Sequence, residues 1–288
     1  MEYRRQHYFP PAYLQFFSLH PAGRESRLWI YDGNIHREVS VDTIGAEDFC
    51  YATERREVVE TWFSANIEGP YAHVIRGILR RGGCSKGAAM TVFRFGIMLK
   101  FRSPAYRLPG KMERFDALEE ITFTALRGAF ATVPDCGFTS AAHFDQTVLK
   151  EMDVRIIVTP DALAISDNPV LIFQEPNGQL WEAVIIPITY QRIMVFYRPD
   201  RLQCSDSISS ADLDQYFLAM RDCRFGQFIF LPVQWDGIPM GKRIPEPLHV
   251  QEVTATTVSH HFQRLPPHGF PPLSYLPNTL RSASSPAG

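Results

Sequence analysis

The order of hydrophobic and polar positions divides the chain into stretches of different character. Within the first fifty residues, two short apolar strands, Leu28–Tyr31 and Ile35–Val41, flank the sequence Asp32-Gly33-Asn34, which predicts a hairpin. Further along, the apolar spacing follows the helical period, and helices are predicted over residues 57–81, 85–102, 113–132 and 141–152. Helices therefore dominate the middle of the chain.

The next stretch contains short runs of β-branched and aromatic residues separated by Pro, Gly, Asn and Asp. Strands are predicted over residues 154–158, 162–165, 170–173, 183–186, 193–197 and 227–231, with one helix over 209–223. Because helices and strands are grouped and do not alternate, the pattern predicts the α+β class. We expect an N-terminal strap and hairpin, a central helical bundle and a C-terminal, mostly antiparallel sheet.

Composition limits the domain count and the class of partner. The chain has 288 residues and a formal net charge of −2, so one domain over residues 1–232 is expected. A proline-rich tail over 233–288 is expected to be extended or disordered and is a candidate site for binding a protein. The near-neutral charge gives no strong nucleic-acid signature and no attraction to a membrane surface.

Cysteine usage and the N-terminus indicate the compartment. The five cysteines are scattered and form no C-x-x-C pair, which is typical of a reducing compartment and predicts neither a zinc site nor a redox pair. No signal peptide and no membrane-length apolar run is recognised, so a cytoplasmic location is expected. No cofactor is predicted; a divalent metal is possible, although no pattern in the sequence supports one.

The segment RQHYFPPAYLQFF, residues 5–17, is called the strap here. Its two adjacent prolines, Pro10 and Pro11, predict a stiff, extended path for the backbone. In one interpretation the aromatic residues cover a core and His7 donates a hydrogen bond to the backbone. In the other, the strap presents His7 as a titratable acid or base, or less favourably as a metal ligand, and Tyr13 as a substrate-binding group.

The predicted helix over 57–81 changes face at Gly69-Pro70. Before this point Glu57, Glu60, Ser64 and Glu68 form an acidic stripe, and after it the apolar face is aligned with that stripe. Either Pro70 breaks the helix, or the helix only kinks and Glu68 is carried inward.

A desolvated Glu68 needs a cationic partner, and Arg102, at the end of the helix over 85–102, is the candidate. Arg102 could equally cap its own helix, where the partial negative charge of the helix end favours a cation. In the same way, a solvated acidic face is the alternative for Glu68.

The sequence AISDNPV places three small polar residues, Ser166, Asp167 and Asn168, directly after a predicted strand and before Pro169. Asp and Asn side chains readily close turns, so a structural turn is one interpretation. The other is a functional group at a strand end, with Asp167 as a general base and Ser166 and Asn168 binding substrate.

Several of these segments occur together and in order, namely RQHYFPPAYLQFF, LWIYDGNI, SANIEGPYAHVI, FRSP and AISDNPV. This order resembles the domain-of-unknown-function family numbered four-two-three-eight, over about residues 3–231. The resemblance implies no particular chemistry, since the family is defined without an established activity.

Two functions follow from these patterns. The first is a hydrolase of a phosphoester, nucleotide or glycosidic bond, in which His7, Glu68 and Asp167 supply acid–base chemistry in one cleft and Arg102 holds a small anionic or nucleotide-like ligand. The second is a non-catalytic binding or interaction protein, in which the same side chains form a buried structural network.

Overall fold

A computed structural model describes residues 5–7, 9–31, 36–44, 46–48, 61, 64–102, 151–174, 181–222, 229–231 and 280–282. The helix predicted over 113–132, nearly all of the helix predicted over 141–152, and most of the proline-rich tail lie outside these residues. The boundary between a domain at 1–232 and a tail therefore stays a prediction.

The strap is extended only at its beginning. Strand β1, Arg5–His7, pairs antiparallel with β4, Ala46–Asp48. The chain then turns into helix α1, Pro11–Leu14, followed by a 3-10 turn, Gln15–Phe17. The prediction of an extended path through both prolines is wrong. The fixed φ and missing N–H of proline suit the first turn of a helix, and Pro11 occupies that position.

The predicted hairpin is confirmed as β2, Arg27–Tyr31, paired antiparallel with β3, His36–Ser40. These strands belong to a four-stranded sheet, called the first sheet, with the order β3-β2-β11-β6. Its other members are β11, Ile229–Leu231, and the short β6, Ile165–Ser166. The strand predicted over 162–165 is thus shorter and later than expected.

Two helices form the centre of the chain. Helix α2, Gly69–Arg81, follows a π-helical turn, Ser64–Glu68, and ends where Gly82 adopts the left-handed conformation with a φ of 75°. Helix α3, Lys86–Arg102, is capped by Ser85, whose Oγ accepts a hydrogen bond from the Ala88 amide at 3.2 Å. The predicted cap of α3 is confirmed.

The second sheet has the order β5-β9-β8-β7 and is antiparallel throughout. Its strands are β5, Asp153–Val158, β7, Leu171–Gln174, β8, Trp181–Thr189, and β9, Arg192–Tyr197. Next along the chain come β10, Leu202–Cys204, and helix α4, Ser210–Asp222. From within the tail region, β12, Leu280–Ser282, pairs antiparallel with β10.

Both faces of the second sheet are covered. Alternate residues of β8 and β9, among them Ile186 and Phe196, belong to a core formed with α2, α3 and the strap. The residues between them, among them Ile185 and Val195, belong to a core formed with α4 and Leu280. The period of two in a strand explains this division. The fold is α+β, as predicted, with helices on both faces of an antiparallel sheet.

Candidate functional site

The segment Ser166-Asp167-Asn168, called the SDN turn, connects β6 of the first sheet to β7 of the second. All three side chains are buried, with exposed fractions of 1%, 3% and 0% respectively. A turn was predicted here, closed by an Asp or Asn side chain; in the structure the Asn168 amide donates a hydrogen bond to Ser166 Oγ at 3.2 Å, so the serine hydroxyl closes the turn. The turn thus concentrates three hydrogen-bonding side chains at a buried junction between two sheets.

Helices from opposite layers reach this turn. On one side, the Lys100 Nζ of α3 donates a hydrogen bond to the Val170 carbonyl oxygen at 2.9 Å, just before β7 begins. On the other, the Met220 Sδ of α4 lies 3.7 Å from Ser166 Oγ. Helix α4 therefore contacts the SDN turn itself, and α3 contacts the chain two residues after it.

Lys100 is a residue that the sequence analysis missed. Its side chain is fully buried, which is rare for lysine unless the ammonium group has partners. The sequence does contain a signal for this burial. Lys100 directly follows the apolar run Gly96 to Leu99, in a helix that is apolar on nearly every side. Only the fold, however, shows that its ammonium group meets the chain next to the SDN turn.

Tyr13 is fully buried where the strap crosses the second sheet. Its Oη donates a hydrogen bond to the Pro187 carbonyl oxygen of β8 at 3.2 Å, and its ring lies 4.9 Å from that of Phe17 and 5.4 Å from that of Phe95. Burial, and then the neighbouring Tyr71 and Tyr216 phenols, raise the pKa of Tyr13 well above its usual value. These contacts attach the strap to the sheet, and a substrate-binding role for Tyr13 stays a prediction.

Tyr71 of α2 makes a similar contact with the same strand. Its Oη donates a hydrogen bond to the Ile188 carbonyl oxygen at 3.4 Å, and its ring stacks on Phe95 with the ring centres 3.8 Å apart. Burial raises the pKa of Tyr71 as well, so both phenols stay protonated donors at neutral pH. Tyr71 is a structural anchor between α2, α3 and β8.

Glu68 ends the π-helical turn and is half-buried. Its backbone is helical, with φ −71° and ψ −43°, so the chain enters α2 without a break at Pro70. A π turn inserts one extra residue and shifts the faces that follow, which accounts for the change of apolar face in the sequence. Glu68 lies one helical turn before Tyr71, and its pairing with Arg102 stays a prediction.

The backbone positions of the remaining candidates are known. Arg102 is the last residue of α3, two residues after Lys100, which brings its backbone to the same helix end. His7 lies in β1 opposite Ala46, two residues before the buried Phe9. The structure does not describe the side chains of His7 and Arg102. It therefore stays a prediction that these two side chains meet Glu68 and Asp167 in one cleft.

No group of three or more His, Cys, Asp or Glu side chains within the described part of the chain is placed to hold a metal ion. No helix described here combines the length and the apolar character needed to cross a membrane.

Comparison with known proteins gives one match. The model of the family described as "Protein of unknown function (DUF4238)" matches residues 5–258, a range that includes the strap, both helical layers and both sheets. No curated protein and no solved structure matches the chain.

Proposed function

The chain belongs to the DUF4238 family, and from this premise we propose that it is a hydrolase of a phosphoester, nucleotide or glycosidic bond that acts by general acid–base chemistry. One observation carries the proposal, namely the burial of Asp167 in a turn whose Ser166 contacts Met220 and which is followed closely by Val170, the acceptor of the Lys100 hydrogen bond. Ionisable groups are seldom fully buried, and strongly desolvated ones are concentrated at functional sites.

The proposed roles follow from residue chemistry. Asp167 or Glu68 acts as the general base, and His7 acts as an acid or a base. Arg102 stabilises the negative charge of a small anionic or nucleotide-like substrate. Ser166, Asn168 and Tyr13 orient the substrate by hydrogen bonds.

A cytoplasmic location belongs to the same proposal. It is supported by Cys84 and Cys204, which are free thiols and not members of a disulfide. Binding of a protein by the proline-rich tail is a separate proposal, supported by the composition of that segment alone.

A second function is favoured by a different observation. The SDN side chains are at most 3% exposed, and the Tyr13 hydroxyl is bonded to a backbone carbonyl. Such a buried polar cluster would lock the strap and the two sheets together, as in a non-catalytic binding protein.

The experiment compares Asp167→Asn with Asp153→Asn, since Asp153 is an exposed carboxylate at the start of β5. Purified protein is incubated with nucleotides, RNA and DNA, with and without divalent metal, and the products are quantified. We expect Asp167→Asn to lose about 10²- to 10⁴-fold in rate, the usual contribution of acid–base catalysis. Asp153→Asn keeps the wild-type rate.

Stability measurements separate the two functions. A catalytic His7→Ala loses turnover with little change in the free energy of unfolding, whereas a structural His7→Ala lowers the Tm without any turnover to lose. If the wild type turns over no member of the panel, the hydrolase proposal is wrong and the binding function takes its place.

A further inference from the structure

Helices α2 and α3 carry basic residues without any acidic residue. From Gly69 to Arg102 the sequence contains seven Arg or Lys residues and no Asp or Glu, whereas the whole chain contains 29 basic and 31 acidic residues. The net charge of −2 therefore hides a local excess of positive charge in these two helices.

Three of these residues, Arg76, Arg80 and Arg81, are exposed on the last two turns of α2 and are called the basic face. The Arg80 Nε donates a hydrogen bond to the Arg76 carbonyl oxygen at 3.3 Å. A Cβ atom on Gly77 would lie 2.8 Å from a terminal nitrogen of Arg81, so the Arg81 guanidinium group lies over Gly77. Both side chains thus fold back along the helix towards the turn that carries Arg76, which concentrates positive charge on one surface.

The basic face has no counter-charge among the described residues. Elsewhere in the described ranges the exposed arginines Arg24, Arg27 and Arg155 each pair with a carboxylate, but no ion pair between described residues includes an arginine of the basic face. Arg76 and Arg80, one helical turn apart, instead repel each other. The partial negative charge at the end of α2 favours the two arginines of its last turn, but it does not account for Arg76.

An exposed apolar side chain lies beside the basic face. Leu79 is 40% exposed, although most large apolar side chains of the described residues are buried. It directly precedes Arg80 and follows Arg76 by three positions, which makes it a neighbour of Arg76 on the surface of α2. The phosphates of a nucleic acid offer nothing to a leucine, whereas a membrane interface accommodates basic and apolar side chains together.

We propose that the basic face and Leu79 bind the surface of a membrane that contains anionic phospholipids. The guanidinium groups contact the negatively charged headgroups, and Leu79 enters the boundary between the headgroups and the acyl chains. Lys86, exposed at the start of α3, adds a fourth positive charge just after the turn that connects the two helices.

This surface is separate from the SDN turn. Lys86 lies at one end of α3 and Lys100 near the other, about 20 Å apart along the helix axis. Since Lys100 is the residue that bonds next to the SDN turn, the membrane contact is at the far end of the helix. The inference thus goes beyond the proposed function and does not depend on it.

The experiment uses the full chain and vesicles of phosphatidylcholine with about 30 mol% phosphatidylserine, at about 0.1 M salt. Co-sedimentation compares the wild type with Arg76→Gln/Arg80→Gln/Arg81→Gln. We expect the wild type to bind these vesicles and not vesicles of phosphatidylcholine alone. The triple variant is expected to bind about a hundredfold more weakly, because each basic residue near an anionic surface contributes several-fold to the affinity.

Two further triple variants control for folding and for net charge. Lysine at the three positions of the basic face keeps the charge, and binding is expected within about threefold of the wild type. Arg24→Gln/Arg27→Gln/Arg155→Gln removes the same charge from exposed, paired arginines, and binding is again expected within about threefold. Thermal unfolding of each variant shows that it is folded.

The apolar part of the contact is tested by Leu79→Ala. Binding to the phosphatidylserine vesicles is expected to fall about fivefold, since less apolar area enters the interface. Leu19→Ala is the matched control, because Leu19 is 39% exposed and lies outside the basic face, and it should bind as the wild type does.

The membrane assignment is wrong if the wild type does not bind the phosphatidylserine vesicles, if the two triple Gln variants lose equal affinity, or if Leu79→Ala binds as the wild type does. Binding of single-stranded RNA or duplex DNA that needs the basic face, without binding to vesicles, would assign the surface to nucleic acid instead. A lack of hydrolytic turnover tests only the proposed function and leaves this result unchanged.

Discussion

Lys100 shows how a single residue connects two layers of the molecule. Its carbon chain lies within an apolar helix, yet its ammonium group donates to the Val170 carbonyl oxygen, 70 residues away in the chain. Removing a buried donor of this kind lowers the free energy of unfolding, because the Val170 carbonyl oxygen stays buried without its hydrogen bond. Lys100 therefore positions the segment between the SDN turn and β7.

Lys100→Met tests this role, since methionine keeps much of the apolar volume and removes the charge. We expect a loss of about 1–3 kcal/mol in the free energy of unfolding, the usual cost of an unsatisfied buried group. Urea denaturation gives the value, and Lys86→Met, at the exposed start of the same helix, is the matched control with a change within about 0.5 kcal/mol. Equal midpoints for the two variants would show that the buried bond contributes nothing.

At the scale of elements, Gly96 of α3 is a point of close approach between helix and sheet. A Cβ atom on Gly96 would overlap Ile186 Cδ1 and lie 3.0 Å from Ile186 Cγ1. Glycine is thus required here by packing, although it weakens the helix itself. Phe93 extends the same contact, since its ring meets that of Phe196 in β9 with the centres 4.8 Å apart.

Gly96→Ala is expected to lower the free energy of unfolding by about 1–3 kcal/mol, as overpacking of a core usually does. Gly87→Ala is the control within α3, because a Cβ there meets nothing within 4 Å, and it should stabilise by up to about 1 kcal/mol. Adding Ile186→Val to Gly96→Ala removes the overlapping methyl group and should recover part of the loss in a double-mutant cycle. If the double variant recovers no stability, the loss caused by Gly96→Ala does not come from contact with Ile186.

At the scale of the whole molecule, the second sheet carries a separate apolar core on each face. The face towards α4 is completed by Leu280, which arrives from the far end of the chain through β12 and is 3% exposed. Strand β12 is therefore part of the packed structure near β10. This arrangement makes the stability of the α4 layer dependent on a residue outside the family match.

Leu280→Ala is expected to destabilise the protein by about 2–5 kcal/mol, the range for a leucine removed from a core. Leu19→Ala is the control, because Leu19 is 39% exposed and its truncation leaves no cavity. Thermal and urea unfolding of the two variants give the comparison. A Tm for Leu280→Ala equal to that of Leu19→Ala would show that β12 does not stabilise the α4 layer.

Features that depend on nearby residues were predicted well from the sequence. The hairpin of β2 and β3, the cap of α3 and the closed turn at Ser166 to Asn168 all follow from side-chain spacing, caps and turn residues. Each of these signals acts over a few residues, so no knowledge of the fold is needed to interpret it. The family resemblance rests on the same local motifs.

The tertiary structure alone decided the contacts between distant segments. Tyr13 and Pro187 are 174 residues apart, and Tyr71 and Ile188 are 117 apart, yet each pair shares a hydrogen bond. Local periodicity carries no information about such partners, which depend on how the helices and sheets pack. For that reason the sequence marked Asp167 and Asn168 as candidates by themselves, while only packing placed Met220 against their turn and Lys100 against the residues that follow it.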